Sequence, residues 1–556
     1  MPPEDSAVPA SPPGSPAGLA RARAALGAVT RLDVALALCG VAFGAQSLFY
    51  PFGRDQATHG YIGREWLAGR LPFVSTFDIK TPGIFLAHMT AFFLFGDHMW
   101  GIRVLDLFGC VFPIGVLAAY AVTPRGERPR PGLLGFGVLA ANLLYFGPFD
   151  FWNTAQCESF CSVFALAAMT CAIRASARAP LRAGLWVGLF ATIAVLFKPP
   201  SGFSALAAYG VLVWALARQV AGRRAALRRA LAATVGCALG SALPIGLMLA
   251  YFGAKGALPA MYEVLVVISR QYVIGGRSVT SVLQGLQATT WGIANFNATF
   301  IVVANALPVM AFRARARGDR DTLFLFGAAA AGLVAGVLAV VLQVKFFTYH
   351  WAAMVGLLVL AVTALARDLD DRLRESGGVA GMRVPIALLV ALQLVGAAHG
   401  SRGLHIAKRA LYYARTGDRG PLDQMWTIPN FYAWTDSREV GLWVREHAAP
   451  DDRLVVRGFE PQIYFAANKR YDGRFFWSTF LTEKRFSAGR DRLSQEDFAC
   501  FKEAPPRWVV ALTYEHKGVN AVETYESLGY VRREETHFFA VLERPENVTF
   551  GARTSW

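Results

Sequence analysis

The sequence predicts a mainly α-helical polytopic membrane bundle of about 11 spans, with interfacial helices in its first outward loop and a small C-terminal α/β region. Three observations carry this. Only 17% of the 556 residues are charged and the mean hydropathy is +0.37, whereas soluble domains carry roughly a quarter charged residues. Long charge-poor stretches alternate with short Arg-rich loops. After Gly400 the composition turns to that of a soluble domain.

The first 32 residues, rich in Pro, Ala and Ser, read as a disordered cytoplasmic tail. Arg21, Arg23 and Arg31 precede an apolar run from about Val34 to Tyr50, the pattern of an uncleaved anchor that leaves its N-terminus inside. The next apolar stretches are 84–95 and 99–120. Arginine clusters then set the topology: Arg125, Arg128 and Arg130; Arg174, Arg178 and Arg182; and the runs 218–230, 313–320 and 367–383. The positive-inside rule places all of them in the cytoplasm. That holds only if one of 84–95 and 99–120 does not cross, and the about 12 residues of 84–95 are too few for a hydrocarbon core of about 30 Å. This stretch is therefore expected to lie at the outer interface. The remaining spans are expected near 132–147, 158–175, 183–197, 202–217, 231–252, 297–312, 323–342, 351–366 and 384–400.

Residues 33–400 thus read as one membrane domain and 401–556 as an outer α/β domain. In the latter, "RLVVRG" (453–458), "RWVVALTYE" (507–515) and "HFFAVLER" (537–544) are strand candidates separated by helix-like patterns. Asn297 and Asn547 begin glycosylation sequons.

The net charge of +16 does not indicate nucleic-acid binding, because the arginines sit in short loops between apolar segments and no basic domain with interleaved aromatics exists. The seven cysteines lie mostly in apolar segments and show no CxxC spacing. No Walker loop, dinucleotide fingerprint or HExxH is present.

With this topology, the first outward loop holds Asp55, His59, Glu65, Asp78 and Lys80, with Arg103 just inside the next span. The second holds Asp150 and Glu158, the third Lys198, and the fifth Lys345 and His350. The long fourth loop carries Tyr262, Glu263, Arg270, Gln271, Tyr272 and Arg277. Each has a plain structural alternative. Asp55 could cap a helix beginning near Ala57, Asp78 and Lys80 could form a surface pair, and Glu158 could be a favoured helix N-terminal charge. Lys198 and Lys345 could be snorkelling anchors. Ionisable groups at membrane level are costly and suggest function when they gather. Acids and cations on one face suit displacement of a phosphate leaving group. A carboxylate takes the proton of an acceptor hydroxyl or amine, and the cations neutralise the departing phosphate. A lipid-tailed donor would enter sideways from the bilayer.

The stretch "RDQATHGYIGREWLAGRLPFVSTFDIKTPG" (54–83) resembles the first outward loop of the GT-C glycosyltransferases, especially the protein O-mannosyltransferase and aminoarabinose-transferase group (glycosyltransferase family 39-like). There an acid is followed by a Tyr, here Asp55 and Tyr61, then a "G..PY" segment and "FD.KPP". Thr81 stands where the first of those prolines is usual. "FKPP" (197–200), "KFFTYHW" (345–351) and Glu158 in "NTAQCESF" match further outer-loop motifs.

The resemblance implies Asp55 and Glu158 as catalytic acids, the first activating the acceptor and the second placing the acceptor or a metal. It implies His59, Tyr61, Asp78, Lys80, Arg103, Lys198, Arg270, Lys345 and His350 as substrate-binding residues. The activity expected is that of a hexosyl- or pentosyltransferase. It moves a sugar, with inversion, from a polyprenyl-phosphate donor to an extracytoplasmic protein, lipid or envelope-glycan acceptor. The setting is a multi-pass inner membrane with the site and C-terminal domain on the extracytoplasmic face. No cofactor is required; Asp55, His59 and Glu158 are the set that would hold a divalent metal. The alternative is a polytopic transporter or lipid-carrier-binding protein without covalent chemistry, which would place its charges near the bilayer midplane.

Overall fold

Thr30 opens the first helix: its hydroxyl accepts from the Asp33 amide at 3.2 Å and the Asp33 carboxylate accepts from the Thr30 amide at 3.0 Å. The two satisfy each other's loose ends as a capping box. The computed structural model describes residues 29–270, 280, 282–287, 298–377, 381–398, 402–428, 432–482, 487–514 and 520–546. The tail before residue 29, the sequon asparagines Asn297 and Asn547, and Gln271, Tyr272 and Arg277 lie outside the described residues.

Among the described residues, eight helices are long and apolar enough to cross a membrane. They are α1 (Arg31–Phe49), α4 (Met99–Val122), α7 (Pro180–Phe197), α8 (Pro199–Ala217), α9 (Arg223–Ala254), α11 (Ala298–Ala316), α12 (Arg320–Val341) and α13 (Thr348–Glu375). Three more expected spans coincide with shorter apolar helices, α5 (Leu133–Phe146), α6 (Cys157–Ile173) and α14 (Arg383–Ala398). The first loop contributes α2 (Arg54–Leu67) and α3 (Pro82–Phe95), and the fourth begins with α10 (Leu258–Ile268). The chain is an integral membrane protein.

Small residues set the closest helix crossing. A Cβ on Gly188 of α7 would lie 2.1 Å from the Cys237 carbonyl oxygen, and one on Gly236 of α9 would lie 2.1 Å from that of Leu181. Gly184 and Gly240 are as tight, so each helix contributes a glycine pair four residues apart that lets the backbones touch. In α4 the turns widen to π-helical over Leu105–Val111. Pro113 follows at once and has no N–H to give the ordinary ladder.

Arg125, Arg130, Arg174, Arg218, Arg317 and Arg367, drawn from all five of the arginine-rich loops, line a single cleft of about 970 Å³. The shared cleft places those loops at one end of the bundle.

The C-terminal region packs α15 (Arg402–Thr416), α16 (Trp434–His447), α17 (Gln462–Ala467), α18 (Ser487–Glu503) and α19 (Ala521–Ser527) with a four-stranded sheet. Its strands are β1 (Leu454–Arg457), β2 (Trp508–Leu512), β3 (Val531–Glu535) and β4 (Phe539–Glu543), in the order β1-β2-β4-β3. β1 pairs parallel with β2, and β4 runs antiparallel between β2 and β3. The sequence reading identified β1, β2 and β4. It missed β3, whose "VRREE" is mostly exposed: an edge strand guarded by charge rather than marked by apolar alternation.

This region sits directly on α2. The Tyr61 hydroxyl donates to the Tyr471 carbonyl at 3.1 Å and accepts from the Tyr471 amide at 2.9 Å, while its ring stacks on Phe476 at 4.1 Å. Arg64 donates to the Lys469 carbonyl at 2.9 Å, Arg70 to that of Asp472 at 2.8 Å, and the Trp477 indole to that of Phe77 at 3.2 Å.

Candidate active site

The site is assembled from three chain turns at the end of the bundle that carries the sheet. The first is the start of α2, where Gly53 is the N-cap and no side chain caps the helix. Asp55 therefore sits within the first turn and is not its cap. It is partly exposed and, among the described residues, makes no hydrogen bond or ion pair. It acts electrostatically on Lys80 and Asp78.

The second is the turn into α6. Gln56 donates to the carbonyls of Phe151, Trp152 and Thr154 at 3.1, 2.9 and 2.7 Å. Arg103 donates to the Thr154 carbonyl and hydroxyl at 2.9 and 2.8 Å and to the carbonyls of Pro51 and Phe151 at 2.8 and 3.0 Å. Asp106, turned inward by the widened part of α4, accepts from the Tyr145 hydroxyl and the Ala155 amide, both at 2.9 Å. Three buried polar side chains thus fix residues 150–156 and deliver Glu158 to the first turn of α6.

The third joins two lysines. Lys198 follows the last residue of α7 and forms an ion pair with the buried Glu158 carboxylate. His350 Nε2 lies 3.9 Å from the same carboxylate, and Lys198 Nζ lies 5.6 Å from the Tyr349 ring centroid. The Thr81 hydroxyl donates to the Phe197 carbonyl at 2.8 Å, and a Cβ on Gly83 would come within 2.7 Å of the Leu196 carbonyl oxygen. The Lys80 turn is thereby docked on the Lys198 turn. Lys198, Lys80 and Lys345 all act electrostatically on His350, so the three lysines and this imidazole belong to one cluster.

The electrostatics follow from this crowding. Burial pushes the Asp78 carboxyl up to about 7, the neighbouring Asp55 charge adds to this, and Lys80 and the Ile79 amide oppose it. Burial works against the charge on Lys80, yet Asp55 first, then Cys157, Asp78 and Glu158, hold it above the ordinary lysine value. His59 is driven well below its usual value by burial, then by His88, Lys80 and Lys198. Its Nε2 lies 3.7 Å from Asp78 Oδ2.

The structure therefore brings Asp55, His59, Asp78, Lys80, Glu158, Lys198, Lys345 and His350 together. Tyr61 is taken up by Tyr471 and Arg103 by backbone carbonyls, so both face away from an incoming ligand. Arg270 is exposed just beyond α10, where the Ser269 hydroxyl reaches the Ile79 carbonyl at 3.5 Å. Glu65 pairs with Arg70 at 3.2 Å. Among the described residues no three of His, Cys, Asp and Glu form a group that would hold a metal ion, so Asp55, His59 and Glu158 do not form a ligand set. Sequence reasoning missed Gln56, Asp106 and Glu460. They are supporting side chains with no motif of their own, although a charge inside an apolar run, as at Asp106, is a usable signal.

No family model matches the chain and no curated protein matches it by sequence. Among solved structures, the chain is similar to ArnT from Cupriavidus metallidurans bound to undecaprenyl phosphate. The identity is 17% and the TM-score 0.55 over 93% of this chain and 98% of that one. It is also similar to the same protein in the apo state, at 16% identity and TM-score 0.52 over 94% and 98%. The chain thus shares the fold of ArnT.

Proposed function

We propose that the chain is a membrane glycosyltransferase that moves a sugar from a polyprenyl phosphate to an extracytoplasmic acceptor. The observation that carries this reading is the joining of a partly exposed, unpaired Asp55 to the Lys80, Lys198, Lys345 and His350 cluster. The bound undecaprenyl phosphate of the similar ArnT structure supports the donor class.

In this reading Asp55 takes the proton of the acceptor hydroxyl or amine as its oxygen or nitrogen attacks the anomeric carbon. The bond from that carbon to the phosphate oxygen breaks on the opposite face, and its electron pair leaves with the polyprenyl phosphate. The sugar is inverted. Lys80 and Lys198 neutralise the phosphate charge as it grows, and Glu158 holds Lys198 in place. Lys345, His350 and Arg270 line the donor side, Asp55 and Asp78 hold the charge on Lys80, and His59 stands neutral beside Asp78. Tyr61 and Arg103 act by fixing α2 and the 150–156 turn. The arginine cleft faces the cytoplasm and residues 401–556 form a separate outer domain over the site.

The test is turnover of radiolabelled undecaprenyl-phosphate sugars (mannose, glucose, arabinose and aminoarabinose) with purified full-length protein and envelope extract as acceptor source. Labelled acceptor with stoichiometric free undecaprenyl phosphate supports the reading. Movement of intact donor across vesicles without cleavage supports a transporter instead.

A further inference from the structure

Arg54 and Asp55 are consecutive on the first turn of α2, yet they serve different neighbours. Arg54 turns into the C-terminal region, where its Nε donates to Glu460 Oε1 at 2.8 Å. The rings of Trp152, Tyr432 and Phe459 lie 6.0, 5.8 and 6.0 Å from its guanidinium carbon. Asp55 turns to Lys80 and Asp78, as successive helical residues do not face each other. Glu460 is 1% exposed, and its second oxygen accepts from the Gln462 amide, which also reaches the Ser437 hydroxyl at 2.9 Å.

A buried ion pair costs desolvation that apolar packing would avoid. This one also spans from the sheet-bearing region to the residue preceding the proposed base. The consequence of losing half of it is specific. Without Glu460, the Arg54 cation would stand uncompensated one residue from Asp55. It would compete with the acceptor for that carboxylate and weaken it as a base.

We infer that Glu460 is a positioning residue for the transfer site: by anchoring and neutralising Arg54 it leaves the Asp55 carboxylate unengaged by that cation. The inference rests on Asp55 being the base. It gives the C-terminal region a direct part in the reaction. The groups that face the pair are known: Glu460, Tyr432 and Tyr514 act on Arg54, and Lys80 and Asp78 interact with Asp55.

The sign of the effect is fixed by charge. An added positive charge within about 10 Å, at an effective dielectric near 20, moves a carboxyl by on the order of one pH unit. It favours the ionised form, so the acidic limb of the pH–rate profile moves down while the weakened base lowers the maximal rate. The experiment compares pH profiles of undecaprenyl phosphate release by the full chain and its Asp55→Asn, Glu460→Gln, Glu460→Asp and Arg54→Gln/Glu460→Gln variants. The expected results are an inactive Asp55→Asn, an acidic limb about one unit lower in Glu460→Gln with a rate reduced about tenfold, and a limb restored in the double variant. An unmoved limb in Glu460→Gln, with Asp55→Asn inactive, overturns the inference alone. An active Asp55→Asn overturns the reading on which it rests. Should Glu460→Gln not fold, Glu460→Asp carries the test. Its shorter carboxylate compensates Arg54 less, so its limb lies between the other two, and an unmoved limb there overturns the inference as well.

Discussion

The Thr81 hydroxyl donates to the Phe197 carbonyl at 2.8 Å, tying the turn that carries Lys80 to the turn that carries Lys198. The family the sequence resembles usually has proline at this position, and a proline cannot make this bond. Thr81 adopts φ −70° and ψ 153°, which proline also adopts. Thr81→Pro is therefore expected to fold, to lose about 1 kcal/mol of stability, and to bind undecaprenyl phosphate several-fold more weakly as the two lysines drift apart. Thermal melting and a binding titration check this, and unchanged values for both would count against the docking role.

Lys198 and Glu158 form a buried pair. Lys198→Met leaves the carboxylate without its cation and is expected to cost about 3–5 kcal/mol. Lys198→Met combined with Glu158→Leu removes both charges and is expected to recover most of that stability without recovering turnover. Melting temperature and product release, measured on both variants, separate the structural share of the pair from its part in binding.

Asp78 gives a pH dependence. Its carboxyl is raised to about 7, so between about pH 4 and 7 the folded chain holds a proton that the unfolded chain has lost. The associated stability is fully present below about pH 4 and is lost as the pH rises through about 7. Asp78→Asn, which stays neutral, is expected to escape this loss, opening a gap on the order of a few kcal/mol by pH 8. Ionised Asp78 also offsets Lys80, so undecaprenyl phosphate affinity is expected to fall from pH 6 to pH 8 in the parent and to stay level in the variant.

The α7–α9 crossing is a test of the bundle itself. Gly188→Leu and Gly236→Leu force backbones apart that now leave no room for a Cβ, and both are expected to lower the melting temperature strongly. Gly246→Leu on the same α9 is expected to be neutral, because nothing lies within 4 Å of a Cβ there. Equal effects at all three positions would mean that the close crossing is not what matters.

The membrane bundle was legible because long charge-poor helices separated by arginine-rich loops are direct consequences of the bilayer. Asp55, Glu158, Lys80 and Lys198 were legible as ionisable groups at the ends of apolar helices. What joins them was not. The Arg54–Glu460 pair closes over roughly four hundred residues, and Arg103 reads as a ligand-binding cation although its donors go to backbone carbonyls. Composition and spacing report which residues are costly where they stand. They do not report which buried partner meets that cost. β3 was missed for a related reason: an edge strand needs only one apolar face, and its other side is free to be charged.

The central claim is that Asp55 performs the proton transfer of a phosphate-displacing glycosyl transfer. The most direct measurement is single-turnover release of undecaprenyl phosphate from the labelled donor, comparing the full chain with Asp55→Asn at equal donor occupancy. The account predicts that Asp55→Asn binds the donor with little change and releases undecaprenyl phosphate at least about a hundredfold more slowly. Release by Asp55→Asn at the parent rate would contradict it.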